Sequence, residues 1–306
     1  MKRHWINGLV TVAALVTGLW LMMTAVVFSA APVESPAAGS LVLIPAGEFN
    51  MGDPYKEGDL DEIPVHKVFV SAFYLEKYPV TGKQWKDVYD WAKDHGYGFD
   101  HTGSAKADDH PVYAVCWCDV LKWLNARSEK EGRTPAYYTD TAQTAVYRTG
   151  QHDVTNNMVK WTSNGYRLPT EAEWEKAARG GLDGHHYPWP GIGGRYSDHI
   201  DCSKANYYGC NGGTTPIGNY KANGYDLYDM AGNVWDWVWD WFDSGWYGKP
   251  GATGGDTRGP DSGSNRVVRG GAWSNDAPNL RSAERLDRYP NDTGLNLGFR
   301  TASGRP

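Results

Sequence analysis

Residues Asn223–Phe242 read NGYDLYDMAGNVWDWVWDWF, and two patterns overlap in this stretch. From Val234 onward the tryptophans Trp235, Trp237, Trp239 and Trp241 recur at every second residue. A strand alternates its side chains between two faces, so all four indoles fall on one side, with Asp236, Val238 and Asp240 on the other. Leaving four large rings in water forfeits a large apolar burial. An aromatic core layer is therefore favoured over a sugar-stacking platform. Just upstream, Asp229, Asn233 and Asp236 offer side-chain oxygens around a bend that contains Gly232. That set suits a hard cation, because calcium takes oxygen ligands and accepts backbone carbonyls freed by a turn. Asp and Asn also simply make turns, and the ligand spacing of an EF-hand is absent.

Outward from this stretch the chain reads as one mixed domain over residues 41–303. Leu41–Ile44 and Lys67–Leu75 carry the β-branched and aromatic content of strands. A helix is expected after Thr81, with Trp85, Val88, Tyr89 and Ala92 on one face. A second covers about Asp119 to Lys130, burying Val120, Leu121 and Leu124, and stops before Gly132. The third is bounded by a capping box, Thr170 with Glu173, and by Gly180-Gly181 at its end. Beyond Gly180 no helical period persists, and turns and short strands are expected.

Composition agrees. The 306 residues include 37 Gly, 15 Trp and 19 Tyr, which argues for loops and short strands and against a helical bundle. With 22% charged and 41% hydrophobic residues the bulk of the chain is not disordered. A net charge of −6 without a basic stripe argues against nucleic acid as a partner.

The N-terminus is set apart. Lys2 and Arg3 precede an uncharged stretch, Gly8–Phe28, which ends in the small residues Ser29, Ala30 and Ala31. Residues 1–31 are expected to be a secretory signal or an uncleaved anchor, and residues 32–40 (PVESPAAGS) a flexible linker. The expected location is periplasmic or extracellular. Contact with a membrane is expected only through residues 8–28.

Export gives the four cysteines a context in which disulfides persist. Cys202 and Cys210 flank a short Tyr/Gly/Asn loop and are a plausible bridge. Cys116 and Cys118 are too close in sequence for a mutual disulfide. They read as small buried residues beside Trp117, with a soft-metal site as the alternative. Near the C-terminus, Arg266, Arg269, Arg281, Arg285, Arg288 and Arg300 alternate with Asp276, Glu284, Asp287 and Asp292. Mixed charge of this kind forms a solvated ion-pair network or lines a polar pocket.

Five ordered segments resemble the formylglycine-generating enzyme (sulfatase-modifying factor) family. They are IPAGEFNMGD (Ile44–Asp53), FYLEKYPVTGKQW (Phe73–Trp85), GYRLPTEAEWEKAARGG (Gly165–Gly181), the Asn223–Phe242 stretch, and RVVRGGAWSN…NLGFR (Arg266–Arg300). The resemblance implies a single α+β domain with a C-type-lectin-like core and little regular secondary structure. It also implies a structural calcium site on the side chains of Asp229 and Asp236 and the backbone carbonyls of Gly232 and Val234. A second calcium site is implied near Asn206 and Tyr207, completed by Asn211, although the Cys202–Cys210 loop departs from the common form there.

The chain also departs from the family where the chemistry is. The family's oxidase holds copper through two cysteines shortly after the Gly-Gly of its RGG segment and converts a sulfatase cysteine to formylglycine. Counted without gaps from Gly270-Gly271, those positions are Asn275 and Leu280, and no cysteine follows Cys210. A cuprous ion wants thiolates, so copper is not expected as a cofactor. Catalysis is left open. The favoured expectation is a binding module for a protein or small-molecule ligand, with Trp273, Asn275, Asp276, Arg281, Arg285 and Arg288 displayed on a calcium-braced scaffold. On that reading, changing Trp273, Arg281 and Arg285 removes ligand binding without loss of fold. The alternatives are an oxidative tailoring enzyme of the same family, or formylglycine generation itself.

Overall fold

The computed structural model describes residues 40–191 and 198–304. The expected export segment, and the linker up to Gly39, lie outside the described residues. In chain order the domain begins with β1 (Leu41–Ile44), β2 (Gly47–Met51), β3 (His66–Val70) and β4 (Phe73–Glu76). Helices α1 (Gly82–Lys93) and α2 (Trp117–Lys130) follow, then β5 (Tyr166–Arg167) and α3 (Glu171–Arg179). The last third holds β6 (Trp235–Trp241), β7 (Arg266–Arg269), β8 (Arg285–Arg288), β9 (Leu297–Phe299) and β10 (Ala302–Ser303).

These strands make three small sheets. The first runs β1-β4-β10-β5, so the two ends of the domain meet on either side of β4. The second is the antiparallel pair β2-β3, and the third runs β8-β7-β6-β9 with β9 parallel to β6. The expected single strand Lys67–Leu75 is in fact two strands in two different sheets. The break falls at Ser71-Ala72, where the Ser71 amide and hydroxyl both donate to the carboxylate of Asp256.

The helices start where local signals place them. Thr81 and Gln84 exchange side-chain and backbone hydrogen bonds across the first turn of α1, and Thr170 and Glu173 do so for α3. Gly180 ends α3 in the left-handed region at φ 58°, and a Cβ there would meet the Gly224 amide at 2.8 Å. Helix α2 begins two residues earlier than expected, because the Cys116 sulfur caps it by accepting from the Asp119 amide. It is buried continuously from Trp117 through Ser128.

Strand β6 divides the core. Trp235, Trp237 and Trp239 face a cluster with Trp117, Trp123 and Phe299. Val238 faces the other cluster, with Trp174, Val267 and Leu75. The aromatic layer is therefore a core layer, with Trp239 and Trp241 both packed against Trp117. Its polar atoms are satisfied inside: the indole N–H of Trp235 donates to Asn275, that of Trp237 to the Val115 carbonyl and that of Trp239 to Asn156. A buried indole N–H left without an acceptor is costly, so these partners belong to the packing. Among the described residues no helix is long and apolar enough to cross a membrane.

Candidate functional site

The turn that feeds β6 is built from three residues in the left-handed region: Asp229 at φ 55°, Gly232 at 83° and Asn233 at 69°. Short polar side chains and glycine tolerate this conformation. The turn brings Asp229 and Asp236 close enough for their charges to interact. One oxygen of Asp229 accepts from the Gly218 amide at 2.9 Å, and the other, Oδ1, is buried without a partner. Asp236 repeats the pattern. Its Oδ2 accepts from the Trp174 indole at 2.9 Å and from Arg300 Nε at 2.7 Å, while its Oδ1 has no partner. Burial pushes the Asp229 carboxyl up to about 6, against the pull of the Gly218 amide and Arg300, with Asp236 adding to the rise. Buried polar atoms are normally paired. Two orphaned carboxylate oxygens at one turn are the donor set a hard cation would satisfy.

Asn233, which the spacing placed among the ligands, is divided between two roles, because its side chain also supports the charged form of Asp229. Its side chain exchanges hydrogen bonds with the Thr215 backbone and so pins the preceding loop. Sequence reasoning missed Gly218, Trp174 and Arg300 as the groups that position the two carboxylates. Arg300 had read as one charge in a mixed segment, and nothing local marks it as the partner of Asp236.

The Asn206 region differs. Asn206 is fully buried, its amide donates to the Gly213 carbonyl at 2.8 Å, and its oxygen accepts from Asn211 at 3.1 Å. Asn211 also donates to the Tyr220 hydroxyl, and Tyr207 packs toward Leu280. The amides satisfy one another, and Asn206, Tyr207 and Asn211 leave no orphaned carboxylate. The donor set fits a cation less well than the Asp229 turn does. The neighbouring loop is closed by a Cys202–Cys210 disulfide.

Asn275 and Leu280 are both committed to packing. The Asn275 oxygen accepts the Trp235 indole N–H, and its backbone carbonyl accepts from the Tyr208 amide. Leu280 is fully buried against Tyr187, Ala205 and Ala231. A carboxamide that is already hydrogen-bonded and an isobutyl group in an apolar cluster do not fit a cuprous ion.

The structure corrects the arginine reading. Arg281 is buried and forms a bidentate pair with Glu62 at 2.6 Å, with Glu284 at 2.8 Å. Arg285 is buried on Glu171 at 2.6 and 2.9 Å, with Tyr247 against its guanidinium. Arg269 and Arg300 are likewise buried on Glu175 and Asp236. This is an internal ion-pair network, so Arg281 and Arg285 are not part of a ligand-facing surface. Of the six residues expected on that surface, Asp276 is exposed and Trp273, Asn275 and Arg288 are half-buried.

A family model for the sulfatase-modifying factor enzyme 1-like domain matches residues 26–304. The chain belongs to this family. It is 34% identical over 288 residues to a formylglycine-generating enzyme of Streptomyces coelicolor, covering 86% of this chain and 88% of that one. Among solved structures it is similar to variable protein 1 of Treponema denticola, with 28% identity, a TM-score of 0.69, and coverage of 87% and 95% of the two chains. PvdO of Pseudomonas aeruginosa matches at 28% identity and a TM-score of 0.67, over 87% and 94%. The C-type-lectin-like α+β fold expected from the five segments follows from this membership.

One further cluster in this sulfatase-modifying factor domain has the residue types of a metal site. Ligand atoms of His101, Cys116 and Asp119 lie within 4.8 Å of one another. Their partners account for them without an ion. Asp119 accepts from the amides of Asp100 and His101, from the His101 ring and from Lys122. Cys116 caps α2, and burial pushes its thiol far up. Cys118 is buried too, with its thiol also raised by burial. The reading of the pair as small packed residues fits this arrangement.

Proposed function

We propose that this member of the family is an exported, calcium-stabilised ligand- or protein-binding module that does not generate formylglycine. The observation that carries the reading is the state of positions 275 and 280. Asn275 is held by the Trp235 indole and Leu280 by an apolar cluster, and the only unpaired thiols, Cys116 and Cys118, are buried in another part of the fold. A copper-thiolate oxidase needs ionisable, accessible sulfur.

The binding face is the rim beside Asn275. Tyr208, 67% exposed, is tied to Asn275 through the backbone, and Asn296 donates to the Ser274 hydroxyl. Leu295 next to it is 68% exposed. With Trp273 and Asp276 this rim combines aromatic, apolar and small polar groups, the mixture that adaptable recognition surfaces use. Calcium at Asp229 and Asp236 braces the turn behind it.

The relative in Streptomyces coelicolor favours the second reading, formylglycine generation. One experiment separates the two. Purified protein is loaded with cuprous ion and incubated with a cysteine-containing sulfatase peptide and oxygen. No stoichiometric copper and no aldehyde product are expected, whereas the Asn275→Cys, Leu280→Cys double variant gains tight cuprous binding. Aldehyde formation by the unaltered chain overturns the binding-module reading.

A further inference from the structure

A cavity of about 300 Å³ opens at the first turn of α2. Its walls include Trp117, Cys118, Trp241, His152 and Asn291, with Arg266 at the floor. That volume is at the low end of those that take small ligands. The floor is the unusual part. Arg266 is fully buried, and its guanidinium carbon lies 3.7 Å from the Trp117 ring centre and 3.4 Å from that of Trp241. Its two terminal nitrogens donate to the carbonyls of Trp239 and Val154, and its Nε has no partner.

The other deeply buried arginines of the network, Arg269, Arg281, Arg285 and Arg300, each hold a carboxylate at hydrogen-bond distance. Among the described residues no carboxylate comes within 4.0 Å of Arg266. The charged groups around it do not replace one. Asp240 is near enough for its charge to favour the guanidinium, but it forms no ion pair with Arg266, and its Oδ2 accepts from the Glu171 amide at 2.8 Å. Asp153 stands at the exposed mouth of the cavity. Burial outweighs these more distant charges and drives the guanidinium down to about 9. A buried charge without a counter-charge is costly, and a ligand that brings one recovers that cost.

The helix end adds a second attraction. Trp117 and Cys118 are the first residues of α2, a helix of 14 residues, and its N-terminus favours negative charge. The amides of Trp117, Asp119 and Val120 are engaged by Pro290, Cys116 Sγ and the Cys116 carbonyl. The Cys118 amide has no hydrogen bond among the described residues.

We propose that this cavity binds a small monocarboxylate, with Arg266 as its counter-ion. The edge of a guanidinium that carries Nε matches the two oxygens of a carboxylate. The indoles of Trp117 and Trp241 present apolar surface to a short carbon body. One cationic group, with Asp153 at the mouth, disfavours a dianion such as phosphate.

The test is isothermal titration of the folded protein with acetate, propionate and benzoate, each against its neutral amide, and with inorganic phosphate. At least one carboxylate is expected to bind about tenfold or more tightly than its amide. Arg266→Met is expected to abolish that binding, with circular dichroism as the check on folding. Two variants at the mouth keep the test decisive if Arg266→Met does not fold: Asp153→Asn tightens carboxylate binding and Asn291→Asp weakens it, each by about threefold. Three results overturn the proposal: equal binding of acid and amide or of neither, mouth variants without effect, or phosphate binding more tightly than every carboxylate.

Discussion

Glu284 shows how a single residue in this fold couples to pH. Its carboxylate accepts from Arg281 at 2.8 Å, while the same arginine holds Glu62 at 2.6 Å. Burial is the largest influence and raises the Glu284 carboxyl, Glu62 raises it further, and Asn279 and Arg281 pull it back, leaving it at about 7. An unfolded glutamate titrates near about 4.3, so the native state binds the extra proton between those values and stability falls as pH rises through that window. Urea unfolding of the native chain and of Glu284→Gln from pH 5 to 8 should show the native chain losing stability relative to the variant. A difference that stays constant with pH would refute this. The neighbouring arginines behave as structural groups. Removing one partner of a buried pair costs about 3–5 kcal/mol, so Arg281→Ala and Arg285→Ala should each lower the melting temperature sharply. Retained stability in either would return that arginine to the list of surface groups. Only the Arg281–Glu284 pair is local; the other two could not be read from the chain, because Glu62 is 219 residues from Arg281 and Glu171 is 114 from Arg285.

Elements whose determinants are local were legible, and those set by distant partners were not. Helix α3 starts at a capping box with both of its hydrogen bonds formed, and Glu173 in that box also makes a bidentate pair with Arg167 at 2.6 Å. Thr170→Ala should therefore cost about 1 kcal/mol, and Glu173→Ala more, because it strands a buried arginine as well. Chemical denaturation of the two variants checks the order, and an equal loss would mean that Arg167 does not depend on Glu173. The period-two tryptophans placed β6 and its faces correctly because strand geometry alone dictates the alternation. The break between β3 and β4 was invisible because its cause, Asp256, lies 185 residues from Ser71. The Asp229 turn sits between these cases. Its glycine and acids are local, while the groups that leave one oxygen free on each carboxylate are Gly218, Trp174 and Arg300.

At the scale of the whole molecule, Asp236 is the point where separate layers meet. Arg300 lies between β9, which belongs to the sheet of β6, and β10, which belongs to the sheet formed by the two ends of the domain. Its guanidinium holds Asp236 and the backbone carbonyls of Tyr228 and Asp229, while Trp174 reaches the same carboxylate from α3. A cation seated on the two free oxygens would join two sheets and a helix, so its removal should be felt across the domain and not only at the turn. At a free calcium concentration of about 100 times the dissociation constant, linkage supplies about 2.7 kcal/mol. For a domain of this size that corresponds to about 5–10 °C in melting temperature. Calorimetry in calcium should therefore show a transition higher by that amount than in chelator, and Asp229→Asn should erase most of the difference. Metal analysis of the purified protein should find calcium. Identical transitions with and without chelator, together with no bound calcium, would show that Arg300 and Trp174 alone hold the junction and that the two oxygens remain unpaired.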